Sequence, residues 1–186
     1  QREADLGTLI RQKDALQANS VYRKLFADAF PEEYAVSLSS GKLDDYISED
    51  KSRYEICSVL GWPFETGVTL SRFIFSKIMD TYPKLKIVSH HLGGVIPYLE
   101  GRIGHSFDQM GARTSDEDYE ALRKSLKKRP FDYFKDFYGD TAIEGVRGPM
   151  ICGIDFFGAD KVLFASDCPF DKEKGPGYIR STIKVL

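Results

Sequence analysis

The stretch Lys86-Ile87-Val88-Ser89-His90-His91-Leu92-Gly93-Gly94 constrains the fold more than any other part of the chain. Leu85 to Ser89 is a short apolar run and reads as a buried strand. Two of the three histidines stand where it ends, and two glycines turn the backbone at once. Pro97 and a helical pattern through Val95, Ile96, Leu99 and Ile103 follow. Strand, polar side chain, glycine turn and helix make the βα unit that carries side chains to the carboxyl end of a parallel sheet.

The other segments repeat this alternation. Residues 2 to about 29 carry a loose apolar stripe and read as helix, stopped by Pro31. Tyr34 to Ser39 alternates as a short strand does, and the polar, acidic stretch from Gly41 to Arg53 reads as loop. Gly61-Trp62-Pro63-Phe64-Glu65-Thr66 reads as a turn. Thr66 is then placed to cap a helix running to about Asp80, with its stripe at Val68, Phe73, Ile74 and Ile78. Ser115-Asp116-Glu117-Asp118 opens a further helix, rich in Lys and Arg towards Arg129. Phe137 to Thr141 and Lys161 to Ala165 read as strands around a helix over about 146–157. Gly175-Pro176-Gly177 breaks the chain before a last helix. Helices alternating with short apolar strands indicate an α/β fold with a parallel sheet.

Chemistry in such folds sits at strand ends. Here those ends are His90 and His91, Asp140-Thr141, and Ser166-Asp167-Cys168-Pro169. Asp167 either caps the next helix or turns its carboxylate into a shared pocket. An imidazole from His91 and a carboxylate from Asp167 converging on one pocket suit a divalent metal and its bound water.

Composition sets the remaining bounds. A chain of 186 residues with 42% apolar side chains reads as one domain able to bury a core. The net charge of −2 and the lack of a basic run argue against nucleic acid. No apolar run reaches membrane-spanning length. Cys57, Cys152 and Cys168 form no CxxC pair and read as reduced thiols of a cytoplasmic protein. The first residue is Gln and the last residues fall in mid-pattern, so both ends look cut.

Several motifs, taken together, resemble the amidohydrolase-related group, which takes in muconate-semialdehyde and resorcylate decarboxylases. They are Ser89-His90-His91-Leu92-Gly93-Gly94-Val95-Ile96-Pro97, Gly101-Arg102-Ile103 and Ser166-Asp167-Cys168-Pro169-Phe170. Trp62-Pro63-Phe64-Glu65-Thr66 and Asp140-Thr141-Ala142 match as well, in the family's order. The resemblance covers residues 43–186, while 1–42 match poorly.

The resemblance implies a (β/α)8 TIM barrel, incomplete in this chain, with one divalent metal, zinc in most members. Counting back from Pro97 makes His91 the catalytic sixth-strand histidine, a general base or the residue that orients metal-bound water. Asp167 matches the eighth-strand metal ligand. Arg102 matches an arginine that binds a substrate carboxylate in a neighbouring subunit of a homodimer, and a guanidinium suits a carboxylate through two parallel bonds. Read by itself, Arg102 is equally an exposed helix charge. Glu65 matches a family position without an assignable role, and His105 is expected on a helix surface.

Departures from the pattern are as informative. There is no HxH in the chain and no histidine before His90. The HxH pair on the first strand and the fifth-strand histidine that the resemblance implies as metal ligands are therefore missing, and such a barrel needs on the order of 250 residues. The expected protein is the carboxyl-terminal part of a metal-dependent decarboxylase or hydrolase acting on a small carboxylated aromatic or muconate-like acid. A catalytically inactive remnant serving as a binding protein is the competing expectation. With two candidate ligands in this chain, tight metal binding by it alone is not expected.

Overall fold

A computed structural model describes residues 54–113 and 117–186. The chain divides into two units, Gln1–Asp44 and Asp45–Leu186, and every described residue belongs to the second. The helix expected over 2–29, the strand over 34–39, the loop over 41–53, and Ser115 and Asp116 lie outside the described residues.

In chain order the elements are α1 (Trp62–Phe75), α2 (Ile78–Thr81), β1 (Val88–Ser89), α3 (Glu100–Asp108) and α4 (Tyr119–Lys124). They continue with β2 (Tyr138–Asp140), α5 (Arg147–Phe157), β3 (Val162–Leu163) and α6 (Pro176–Val185). The three strands are parallel in the order β1-β2-β3, with Val88 opposite Tyr138 and Gly139 opposite Val162. This is the alternating parallel α/β arrangement expected from the sequence. No helix among the described residues is long and apolar enough to cross a membrane.

The strands are shorter than the apolar runs that announce them. Pairing continues beyond their ends through single bonds, Tyr138 N–H to the Ile87 carbonyl and Thr141 N–H to the Leu163 carbonyl, both 2.9 Å. The expectation of a strand buried on both faces is also corrected. Ser89 and Gly139 face the helices and are buried, whereas Val88 is 49% exposed and Leu163 46%. One face of the sheet is packed and the other is open.

A second correction concerns the stretch read as a turn. A π-helical turn over Cys57–Gly61 runs directly into α1, so Gly61 to Thr66 is helical. Pro63 sits in the first turn of α1, where its missing N–H leaves no bond unmade. Thr66 is therefore not a cap. Its hydroxyl donates to the Trp62 carbonyl one turn back, at 3.0 Å. The buried face follows Thr66, Leu70 and Ile74 at four-residue spacing, and Val68 lies off it, exposed. Lys77, with φ of 60°, ends this helix, and Ile78 starts a separate one. Elsewhere the expected helices stand with shifted limits. α4 opens after Asp118, whose carboxylate accepts the Ala121 N–H at 2.9 Å.

The core lies between the packed sheet face and the helices. It gathers Ile74, Leu92, Tyr133, Phe134, Phe137, Met150 and Phe157. Each such side chain contributes about 1.5–3 kcal/mol on burial. Leu92, from the turn after β1, packs so closely on α5 that a Cβ at Gly153 would lie 2.7 Å from its Cδ1. The turn bearing the histidines is thereby fixed to the core.

Candidate active site

Four successive residues after β1, His91 to Gly94, have positive φ, at 51°, 49°, 78° and 61°. For Gly94 this is also a steric requirement, because a Cβ there would stand 2.4 Å from the Pro63 carbonyl oxygen. For His91 and Leu92 the left-handed backbone costs about 1–2 kcal/mol each. Such strain persists where its surroundings hold it, and it gathers at functional sites.

Asp140, the last residue of β2, holds the turn. Its Oδ1 accepts the main-chain N–H of His91 at 2.9 Å and that of Ala142 at 3.0 Å. The ring of His91 is held by the same segment, through Nδ1 against the Ala142 carbonyl. A carbonyl only accepts, so Nδ1 carries the proton and Nε2 keeps its lone pair in the neutral ring. His91 also lines a cavity of about 560 Å³ with Tyr98, Ile143, Pro149 and Cys152.

His90 is turned to α1. Its Nε2 lies 3.0 Å from Thr66 Oγ1. The Thr66 hydroxyl proton is already given to Trp62, so His90 Nε2 is the donor in that contact. The two rings meet edge to face, with centroids 4.7 Å apart. Burial lowers the pKa of His90 and the neighbouring His91 lowers it further, while the Asp140 and Asp167 carboxylates pull it up without prevailing.

Asp167 is half-buried with φ of 59°. Its charge is felt by His90 and, beyond burial and Glu144, by Tyr178. The cap role open to Asp167 is filled by Asp171, whose carboxylate accepts the N–H groups of Glu173, Gly175 and Tyr178. Burial pushes the Asp171 pKa up, but these backbone donors outweigh it and leave it below the usual carboxylate value. His90, His91 and Asp140 thus stand at the carboxyl ends of β1 and β2, and Asp167 follows β3 near enough for its charge to reach His90. Arg102 stands apart, exposed on α3 and without an ion pair among the described residues. His105 is exposed on the same helix, as expected. Glu65 is exposed beside the His90 cavity.

Among the described residues no three His, Cys, Asp or Glu side chains are placed to hold one metal ion. His91 Nδ1 and Asp140 Oδ1 are already committed to backbone groups. These residues alone do not fit a closed metal centre. Two residues that hold the histidines were not singled out for this from sequence: Asp140, noted as a strand end but given no role, and Thr66, read as a cap. The strand-end position was the available signal for Asp140, and its partners are visible only in three dimensions.

The Amidohydrolase family model matches residues 20–179, beginning upstream of residue 43, where the motif resemblance starts. A gamma-resorcylate decarboxylase of Polaromonas sp. (strain JS666) is 36% identical over 113 residues, 59% of this chain and 32% of that protein. The 2-amino-3-carboxymuconate-6-semialdehyde decarboxylase of Dictyostelium discoideum is 27% identical over 142 residues, 75% of this chain and 37% of that protein. Among solved structures, a 5-carboxyvanillate decarboxylase of Sphingomonas paucimobilis superposes with a TM-score of 0.52 at 25% identity, covering 67% of this chain and 34% of that one. The chain spans about a third of the length of the curated relatives it matches.

Proposed function

The chain belongs to the amidohydrolase family, and from that premise we propose that it is part of a decarboxylase acting on a small aromatic carboxylic acid. The observation that carries this reading is the state of His91. Its Nδ1–H is fixed on the Ala142 carbonyl at the carboxyl end of the sheet, so Nε2 is the nitrogen that exchanges protons. In the reaction Nε2 first takes a proton from solvent, and the imidazolium then delivers it to the ring carbon bearing the carboxylate. The bond to the carboxyl carbon then breaks, its electron pair restores the aromatic ring, and carbon dioxide leaves. His91 is left in its neutral form. The relatives' names supply the substrate class, since three of the matched proteins decarboxylate a resorcylate, a carboxymuconate semialdehyde or a carboxyvanillate.

The open sheet face supports completion as a (β/α)8 barrel, in which Val88, Leu163 and Asp140 face the interior. Asp167 supplies one ligand of a divalent metal, zinc in the family reading, with the others coming from outside the described residues. Arg102, exposed on α3, binds the substrate carboxylate of a partner subunit in a homodimer.

The test is carbon dioxide release from gamma-resorcylate by the full-length polypeptide and its His91→Asn variant. Loss of about 100-fold or more in kcat is expected, the range of general acid–base catalysis. Wild-type turnover in the variant removes His91 from the chemistry. No turnover of this acid, but turnover of the muconate semialdehyde, moves the substrate and keeps the role of His91.

A further inference from the structure

Asp140 binds the turn after β1 as closely as it binds its own strand. A single carboxylate oxygen takes the His91 and Ala142 main-chain N–H groups, at 2.9 and 3.0 Å. Ala142 passes the constraint on, because its carbonyl accepts the His91 Nδ1–H. His91 is therefore held twice by the 140–142 segment, through its backbone and through its ring. The backbone so held is left-handed at His91 and Leu92, a conformation the chain would leave without compensation. An N–H bonded to a carboxylate is about twice as strong as one bonded to a neutral acceptor, and the charge is placed where the strain is.

We propose that Asp140 is a positioning residue for the reaction: it holds His91 in the Nδ1–H tautomer with Nε2 aimed at the reacting carbon, and it does not touch the substrate. The proposal rests on the reading of His91 as the group that moves the proton. A purely structural Asp140 would affect stability and leave the proton step alone, so the two roles separate in kinetics.

The experiment uses the full-length polypeptide with gamma-resorcylate and the variants Asp140→Ala and Asp140→Asn, each alone and with His91→Asn. Asp140→Ala is expected to lower kcat about 10- to 100-fold, as loss of the partner that orients an essential imidazole commonly does. KM should change less than about threefold, because ground-state binding is untouched. Asp140→Asn keeps an oxygen acceptor without the charge, and kcat should fall about 3- to 10-fold. In the His91→Asn background neither change should matter, since both act through the same ring. Ring ¹⁵N resonances should show the Nδ1–H tautomer of His91 giving way to a mixture in Asp140→Ala. Unchanged kcat in Asp140→Ala overturns the proposal, and so does an equal loss with and without His91. Where Asp140→Ala does not fold, Asp140→Asn decides by the same criteria. Full activity of His91→Asn alone would defeat the underlying reading of His91, and it is seen in that single variant before any change at Asp140 is considered.

Discussion

His90 and His91 are neighbours in sequence and are held in different ways. His91 is fixed by Asp140 and Ala142, and its Nε2 has no hydrogen-bond partner among the described residues. His90 gives its Nε2–H to Thr66 on α1, and its charged form is disfavoured first by burial and then by His91. The sign for stability follows. The pKa of His90 is lower in the folded chain than the ordinary value, so the unfolded chain takes the proton first. The contribution of the neutral ring is complete above about pH 6.5 and is lost as the pH falls through the lowered folded value. Asp140 and Asp167 oppose the shift, which narrows this window without reversing it. Thermal unfolding between about pH 8 and pH 5 should therefore show the wild type losing more stability than His90→Gln. Parallel losses in the two proteins would show that the shift at His90 has no energetic consequence.

The sheet has few ladder bonds, so single side chains at its ends carry weight. Thr141 is 2% exposed. Its hydroxyl donates to the Ala165 carbonyl at 2.8 Å and accepts the Ala165 N–H at 3.0 Å. It thus extends the β2–β3 pairing past the last regular pair, towards Ser166 and Asp167. Thr141→Val keeps the shape and removes both bonds, leaving a partly buried donor and acceptor of Ala165 without this partner. Urea unfolding should register a loss of about 1–3 kcal/mol, with faster amide exchange at Ala165, and an unchanged midpoint would contradict this account. The elements themselves were largely legible. Apolar runs marked all three strands and the 146–157 helix, because burial on one face imposes a pattern whatever the partner. Limits and exposures were less so. Gly61 and Pro63 read as a turn, yet both tolerate the opening of a helix, and the packing of Gly94 on the Pro63 carbonyl keeps them there. Val68 and Val88 are apolar but exposed, since hydrophobicity alone does not say which face has a partner. The role of Asp140 depends on a bond across 49 residues of chain, which no local pattern encodes.

At the scale of the molecule, two features point outward. Arg102 projects from α3 without an ion pair among the described residues, as a group that serves another subunit would. Arg102→Ala in the full-length polypeptide should raise KM for gamma-resorcylate about 10- to 100-fold, the worth of a charge-assisted hydrogen bond. It should do so with little change in unfolding, and an unaltered KM or a monomer at assay concentration removes the cross-subunit role. The second feature is the incomplete donor set. A protein zinc centre takes three or four side-chain ligands, and the described residues place no such group together. Asp167 at one strand end and His91 at another are a partial set, with His91 Nδ1 already spent on a carbonyl. Two ligands leave an ion mostly hydrated, and the binding free energy falls steeply with each one missing. The 186-residue chain should therefore retain well under about 0.2 equivalents of zinc or manganese after dialysis, while the full-length polypeptide retains about one. Elemental analysis of both decides it. One equivalent kept by the 186-residue chain would show that it supplies ligands beyond Asp167 and His91, and would overturn this account.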